Sequence, residues 1–177
     1  MSDKKSLKFH IIFWFSTLLL LALDQFTKYL AAIHLKNQPA IPFIENIFSL
    51  QYLENRGAAF GIMQGGKVFF VILTIIFLFL AFWIYCRLPL TRRNHPIYVI
   101  LSLFLAGAVG NFIDRVTMNY VIDFFYFELI NFPIFNVADI YVTCGAILFF
   151  ITFLFFYKEK ELEELWNQIF PFRKGNS

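Results

Sequence analysis

From Val68 to Tyr85 the chain runs through 18 residues without a single charge. A bilayer core about 30 Å thick is crossed by about 20 helical residues. Within it, a helix satisfies every backbone N–H and C=O inside one segment. The run therefore reads as a transmembrane helix. Three further runs have the same character, so that the expected spans are 9–35, 68–86, 97–114 and 137–157. The composition agrees. The chain is 59% hydrophobic with 26 Phe among 177 residues, against about 45–50% apolar for a soluble domain. The N-terminal lysines followed by an apolar run resemble a signal peptide. The run is too long for one, however, and no small-residue cleavage site follows. The expectation is an all-α membrane protein of four transmembrane helices, a single integral membrane domain over 1–177.

The connections differ from one another. Residues 36–67 are broken by Pro39, Pro42, Asn46 and Asn55. Between the breaks, Ile47–Leu53 alternates as a short strand does. Gly57, Ala58, Ala59 and Gly61 then allow a tight turn or a close backbone approach. This segment reads as a small extramembrane β platform. Residues 116–136 read as an aromatic connecting loop or short helix that carries Asp123 at the membrane interface. Pro96 opens the third span, a position where proline suits a helix start. Ala106, Gly107, Ala108 and Gly110 near its end suit close helix packing. In the tail 158–171, Leu162, Leu165, Trp166, Ile169 and Phe170 fall at helical spacing. That pattern fits an amphipathic helix on the membrane surface or a solvated tail helix.

Lys and Arg are distributed unequally between the connections. Ten fall on the side that holds both termini and five on the other. The positive-inside rule then places both termini in the cytoplasm and the two long connections outside. A net charge of only +3 gives no support to nucleic-acid binding. The three histidines form no metal-ligand spacing. Cys86 and Cys144 sit inside apolar runs and read as small buried hydrophobes. No metal or cofactor is expected.

Carboxylates are scarce in such a chain and expensive to ionise in apolar surroundings. Asp24 and Lys28 are four apart and share a helix face, which suits an ion pair at the membrane edge. Asp114 and Arg115 are neighbours and must find separate partners. Asp123, in VIDFF, has apolar neighbours and no local cation, so its pKa should be raised. Asn136 is a plausible N-cap for the fourth span, with Asp139 at the third helical position. Asp139 is then either a capping carboxylate alone or one half of a pair with Asp123. Two such carboxyls sharing a proton form the state in which an aspartic protease activates water.

LDQFTKYL, NRGAAFG, GNFIDR, VIDFF and FNVAD occur in one order along nearly the whole chain. In these motifs, and in its four spans, the sequence resembles the lipoprotein signal peptidases, or signal peptidase II. The resemblance implies an aspartic endopeptidase of the bacterial inner membrane. It would cut signal peptides from prolipoproteins just before a cysteine that carries a diacylglyceryl group. Asp123 and Asp139 match the family's catalytic dyad. Asn55, Asn111, Arg115 and Asn136 match its polar site residues, and Asp24, Lys28 and Asp114 its supporting positions. The implied partners are diacylglyceryl-modified prolipoprotein substrates and membrane lipid, with no nucleic acid and the chain acting as a monomer. The strand at Ile47–Leu53 would cradle the substrate by edge pairing. The competing readings are a small proton- or ion-coupled transporter, since intramembrane carboxylates mark such pathways, and an assembly subunit without chemistry.

Overall fold

The structure, a computed structural model, describes residues 3–57 and 67–171. Ala58, Ala59 and Gly61 of the glycine-rich loop lie outside them. Four segments are long and apolar enough to cross a membrane: Ser6–His34, Val68–Arg87, Arg92–Met118 and Val137–Phe156. They correspond to helices α1 (Asp3–His34), α2 (Lys67–Arg87), α3 (His95–Met118) and α4 (Val137–Ile151). A π-helical stretch, Thr152–Phe156, prolongs α4, and α5 (Glu159–Ile169) follows.

The central helix is α3, which packs against α1, α2 and α4. Half of its apolar window is buried, against 6% for α2. Its small residues serve that position. A Cβ on Gly107 would lie 2.6 Å from the carbonyl oxygen of Ala138 in α4. A Cβ on Gly110 would collide with the carboxylate of Asp24 in α1. Close packing is thus the role of Gly107, while Gly110 also leaves room for a buried charge. Pro96 lies in the first turn of α3, where its missing N–H is harmless. The helix ends on Asn119 at φ 69°, a left-handed cap. The helix thus runs about a turn beyond the expected span and carries Arg115 in its last turn.

Three antiparallel strands, β1 (Ile41–Ile44), β2 (Phe48–Asn55) and β3 (Val121–Phe127), form a sheet in that order. Asn46, at φ 58°, turns the hairpin between β1 and β2, a conformation that asparagine tolerates better than most residues. The predicted strand is present as β2, but it is the middle one. β1 covers one edge of it only over Phe48–Leu50 and β3 pairs the other, so the edge open to a substrate is the stretch after Leu50 on the β1 side.

Asp123 is likewise on a strand, not on a loop or short helix. Val121, Ile122, Phe124 and Phe125 are β-branched or aromatic and suit a pleated surface. Pairing to β2 sets Leu53 opposite Asp123 and Asn55 opposite Val121. On its other side, the backbone N–H groups of Phe124 and Phe125 donate to Phe135 O at 3.0 and 2.9 Å. The strand becomes visible only once both partners are in place.

Apolar packing gathers at the two ends of the bundle. Phe13, Tyr98, Leu101 and Leu165 lie in the cluster at the end that holds the termini. Ala31, Leu35, Ile122 and Phe124 form the cluster under the sheet. The tail helix docks one face on the bundle. Leu165 and Ile169 are buried, and Trp83 Nε1 donates to Ile169 O at 3.1 Å. Arg93 donates to both carboxylate oxygens of Glu161 at 3.0 Å. The two cysteines, expected to be buried, are exposed, and Cys144 stands in the wall of a cavity.

Candidate active site

Three charged groups are buried beneath the site. Lys28 Nζ lies 2.9 Å from Asp24 Oδ2, one helical turn away on α1, and 3.0 Å from Asp114 Oδ2 on α3. The three residues are 2, 0 and 1% exposed, respectively. Each buried ion costs several kcal/mol unless its remaining hydrogen-bonding capacity is filled. Here it is. The backbone N–H of Ala138 donates to Asp24 Oδ1 at 2.8 Å, and that of Ile122 to Asp114 Oδ2 at 3.2 Å. Gln25 Nε2 reaches Asp24 Oδ2 at 3.1 Å and Asp114 Oδ1 at 3.2 Å. Ala138 belongs to the first turn of α4, so the Asp24 carboxylate also meets the positive end of that helix. One cluster therefore ties α1, α3, α4 and β3 together.

The network continues upward through two asparagines. Lys28 Nζ donates to Asn111 Oδ1 at 2.9 Å, and Asn111 Nδ2 donates to Asp139 Oδ1 at 2.8 Å. Asn136 Nδ2 donates to the same Asn111 oxygen at 3.0 Å and to Asp123 Oδ1 at 2.6 Å. Asn136 and Asp139 form the expected capping box. The Asp139 N–H donates to Asn136 Oδ1 at 3.0 Å, and the Asn136 N–H to Asp139 Oδ2 at 3.1 Å. From β2, Asn55 Nδ2 donates to Asp123 Oδ2 at 2.8 Å, and its own Oδ1 accepts from the Gly57 N–H at 3.0 Å.

All four carboxylate oxygens of Asp123 and Asp139 thus have a donor, and each keeps a further lone pair. Asp123 is 1% exposed. Burial first, and then the neighbouring Asp139 carboxylate, pushes its pKa up to about 7. A carboxyl that holds a proton near neutrality beside a second carboxyl is the arrangement needed for acid–base work on a water.

The two aspartates open onto a cavity of about 470 Å³. Its polar wall is made by Asn55, Asn111, Arg115 and the aspartates, and its apolar wall by residues such as Phe132, Ile134 and Val142. Arg115 donates to Asn111 O at 3.3 Å, and its guanidinium lies 5.0 Å from the centre of the Phe70 ring. It stands in the cavity wall without an ion pair among the described residues. No group of side chains with metal-ligating character is found among the described residues.

Every residue singled out in the sequence, from Asp24 and Lys28 to Asp139, joins this one network or lines its cavity. Asp139 is therefore more than a cap, because the same carboxylate also receives Asn111. Sequence reasoning missed Gln25 and the space-making part of Gly110. Gln25 carries a weak signal of its own, an amide next to a buried carboxylate in a charge-poor span.

Four membrane-crossing helices with a closed polar network at one end, opening onto a half-apolar cavity, define a multi-pass membrane protein with a candidate catalytic centre. The signal peptidase II profile matches residues 16–155. The chain is 41% identical over 140 residues to a lipoprotein signal peptidase of Streptococcus pyogenes serotype M1, covering 79% of this chain and 91% of that one. It is 44% identical over 127 residues to a lipoprotein signal peptidase of Caldanaerobacter subterraneus, covering 71% and 84%. Two solved structures of bacterial membrane enzymes, determined in meso, superpose with TM-scores of 0.70 at 35 and 36% identity, covering 84 and 81% of this chain and 92 and 93% of theirs. The chain belongs to the signal peptidase II family. It is a peptidase.

Proposed function

We propose that this protein is an aspartic endopeptidase that removes signal peptides from diacylglyceryl-modified prolipoproteins, cutting just before the lipidated cysteine. The observation that carries the reading is the Asp123–Asn136–Asp139 unit. Asn136 donates to one carboxylate at 2.6 Å and caps the helix that carries the other. Asp139, at the N-terminus of α4 and held by two donors, is the ionised partner that takes a proton from water. Asp123 keeps a proton and donates it to the scissile carbonyl oxygen. The water oxygen bonds to the carbonyl carbon as its proton passes to Asp139. When the tetrahedral intermediate collapses, the C–N bond breaks, Asp139 passes its proton to the leaving amine, and a hydroxyl of the intermediate returns a proton to Asp123. Arg115 and Asn55 supply donors to the substrate backbone.

The cavity suits a substrate of two natures. Its apolar side matches a signal helix and acyl chains, and its polar side matches an extended peptide. We place both termini in the cytoplasm of a bacterial inner membrane and the dyad at the outer face, on the Lys/Arg distribution. The test is turnover of one prolipoprotein, lipidated and unlipidated, by purified enzyme in detergent. Cleavage of the lipidated form alone, at the bond before the cysteine, is expected. Equal turnover of both forms would remove the lipid requirement.

A further inference from the structure

The sheet lies across the ends of the spans rather than standing up from them. The backbone N–H of Ile122 donates to Asp114 Oδ2 at 3.2 Å, and Asp114 belongs to the third span, Arg92–Met118. Further along β3, Phe125 pairs with Phe135, just before the fourth span begins at Val137. β3 is therefore pinned at two points to the level at which helices leave and enter the bilayer. The end of β3 and the turn Glu128–Ile130 that follows it stay close to that level, because each residue of chain reaches at most about 3.6 Å.

That level carries an apolar surface outside the four spans. Phe43 in the β1–β2 hairpin and Leu129 and Ile130 in the turn after β3 are 77, 70 and 68% exposed, as much as Phe79 within the second span at 70%. The hairpin and the turn form one surface. The backbone N–H of Leu129 donates to Ile47 O at 3.4 Å. The Phe48 ring centre lies 5.0 Å from that of Phe127 and 6.2 Å from that of Phe43. A contiguous exposed patch of this kind marks a contact with protein or membrane. Its position at the bilayer edge, continuous with the spans, selects the membrane. Charge then selects the part of the lipid. Residues 41–48 and 127–132 contain no Lys or Arg, and their two ionisable groups are Glu45 and Glu128. A surface that holds anionic headgroups is basic, whereas this one offers apolar side chains, which suit hydrocarbon.

We propose that the β1–β2 hairpin turn and the Glu128–Ile130 turn form one tip that inserts its apolar side chains into the leaflet on the side of the dyad, a membrane contact additional to the four spans. The tip holds the strand that carries Asp123 at the depth of the bilayer edge. Insertion is driven by apolar burial and needs no anionic lipid. The inference rests on the four spans and the sheet, and it stands whether or not the dyad cuts lipoproteins.

The experiment is electron paramagnetic resonance of the full chain in phosphatidylcholine liposomes, with and without phosphatidylglycerol. Single nitroxide labels are placed through Phe43→Cys, Leu129→Cys, Phe79→Cys or Gln38→Cys in a Cys86→Ala, Cys144→Ala background. Oxygen collects in hydrocarbon and a nickel chelate in water, so the ratio of their collision rates reads depth. Phe79 marks the interior of a span, and Gln38, exposed in the polar run after α1, marks water. The ratios at Phe43 and Leu129 should lie nearer that of Phe79 than that of Gln38, in both lipid mixtures. Adding Leu129→Glu and Ile130→Glu should shift the Phe43 label toward the ratio of Gln38, while thermal unfolding in detergent stays as it was. Ratios at Phe43 and Leu129 that match Gln38 would overturn the proposal. So would slow collision with both reagents, which means that protein covers the tip, or depth that appears only with phosphatidylglycerol. A Phe43 label that keeps its depth in the glutamate variant would show that the two turns do not insert as one, which also ends it.

Discussion

Asn136 holds Asp123 through its side-chain N–H at 2.6 Å while its carbonyl oxygen accepts the backbone N–H of Asp139 at 3.0 Å. One amide thus sets the position of both aspartates, although they stand on different elements, a strand and a helix. Its orientation is not free. The oxygen of Asn111 takes the rest of its N–H capacity at 3.0 Å and is itself held by Lys28 at 2.9 Å.

The two aspartates are expected to act as a unit. Asp123→Asn and Asp139→Asn should each abolish nearly all turnover, and the double variant should be little worse than either single one. Cleavage rates and thermal unfolding in the same detergent are the measurements. A folded single variant with substantial turnover would end the aspartic assignment.

The pH profile should carry a basic limb. Asp123 has a folded pKa of about 7, raised by burial and then by Asp139, against about 3.9 in an unfolded chain. The folded state therefore keeps a proton that the unfolded chain loses. The resulting stability is fully present below about pH 4 and is lost as pH rises through about 7. Activity that needs the protonated acid should fall about tenfold per pH unit above that point. A flat kcat/KM between pH 6 and 9 would contradict this role for Asp123.

Asn136→Ala should damage both stability and rate. Loss of the cap costs about 1 kcal/mol. Loss of the donor to Asp123 and of the link to Asn111 should reduce kcat more than KM. Asn136→Asp keeps the cap but sets a third carboxylate against Asp123, so its unfolding temperature should stay nearer wild type while turnover is lost. If Asn136→Asp turns over normally, the amide has no part in holding Asp123.

In the buried ion cluster, Lys28→Gln should be more destabilising than Asp114→Asn. Removing Lys28 leaves two carboxylates without their cation, and breaking such a pair costs about 3–5 kcal/mol. Removing Asp114 leaves Lys28 paired with Asp24 at 2.9 Å. Asp114→Asn should therefore act mainly through stability and keep measurable turnover. Comparison of unfolding midpoints decides it, and equal losses would mean that Lys28 is not the cation shared by both carboxylates.

Much of this protein was legible along the chain, because a bilayer imposes length and polarity on each segment separately. Val68–Tyr85 declares a span by itself, and the i,i+4 spacing declares the Asp24–Lys28 pair. The capping box of Asn136 and Asp139 lies within four consecutive residues. What the sequence could not decide depends on partners distant in the chain. Val121–Phe127 is a strand because β2, some 70 residues earlier, and Phe135 pair with it. Hydrogen bonds between strands leave no trace in local periodicity. Gly110 must be glycine because the Asp24 carboxylate, from another helix, occupies the space of its Cβ. Cys86 and Cys144 are exposed because apolar composition says that a helix is in lipid, not which of its faces meets protein. The meeting of Asp123 with Asp139 is likewise tertiary, since each is placed by its own element and Asn136, bonded to both, brings the two into register.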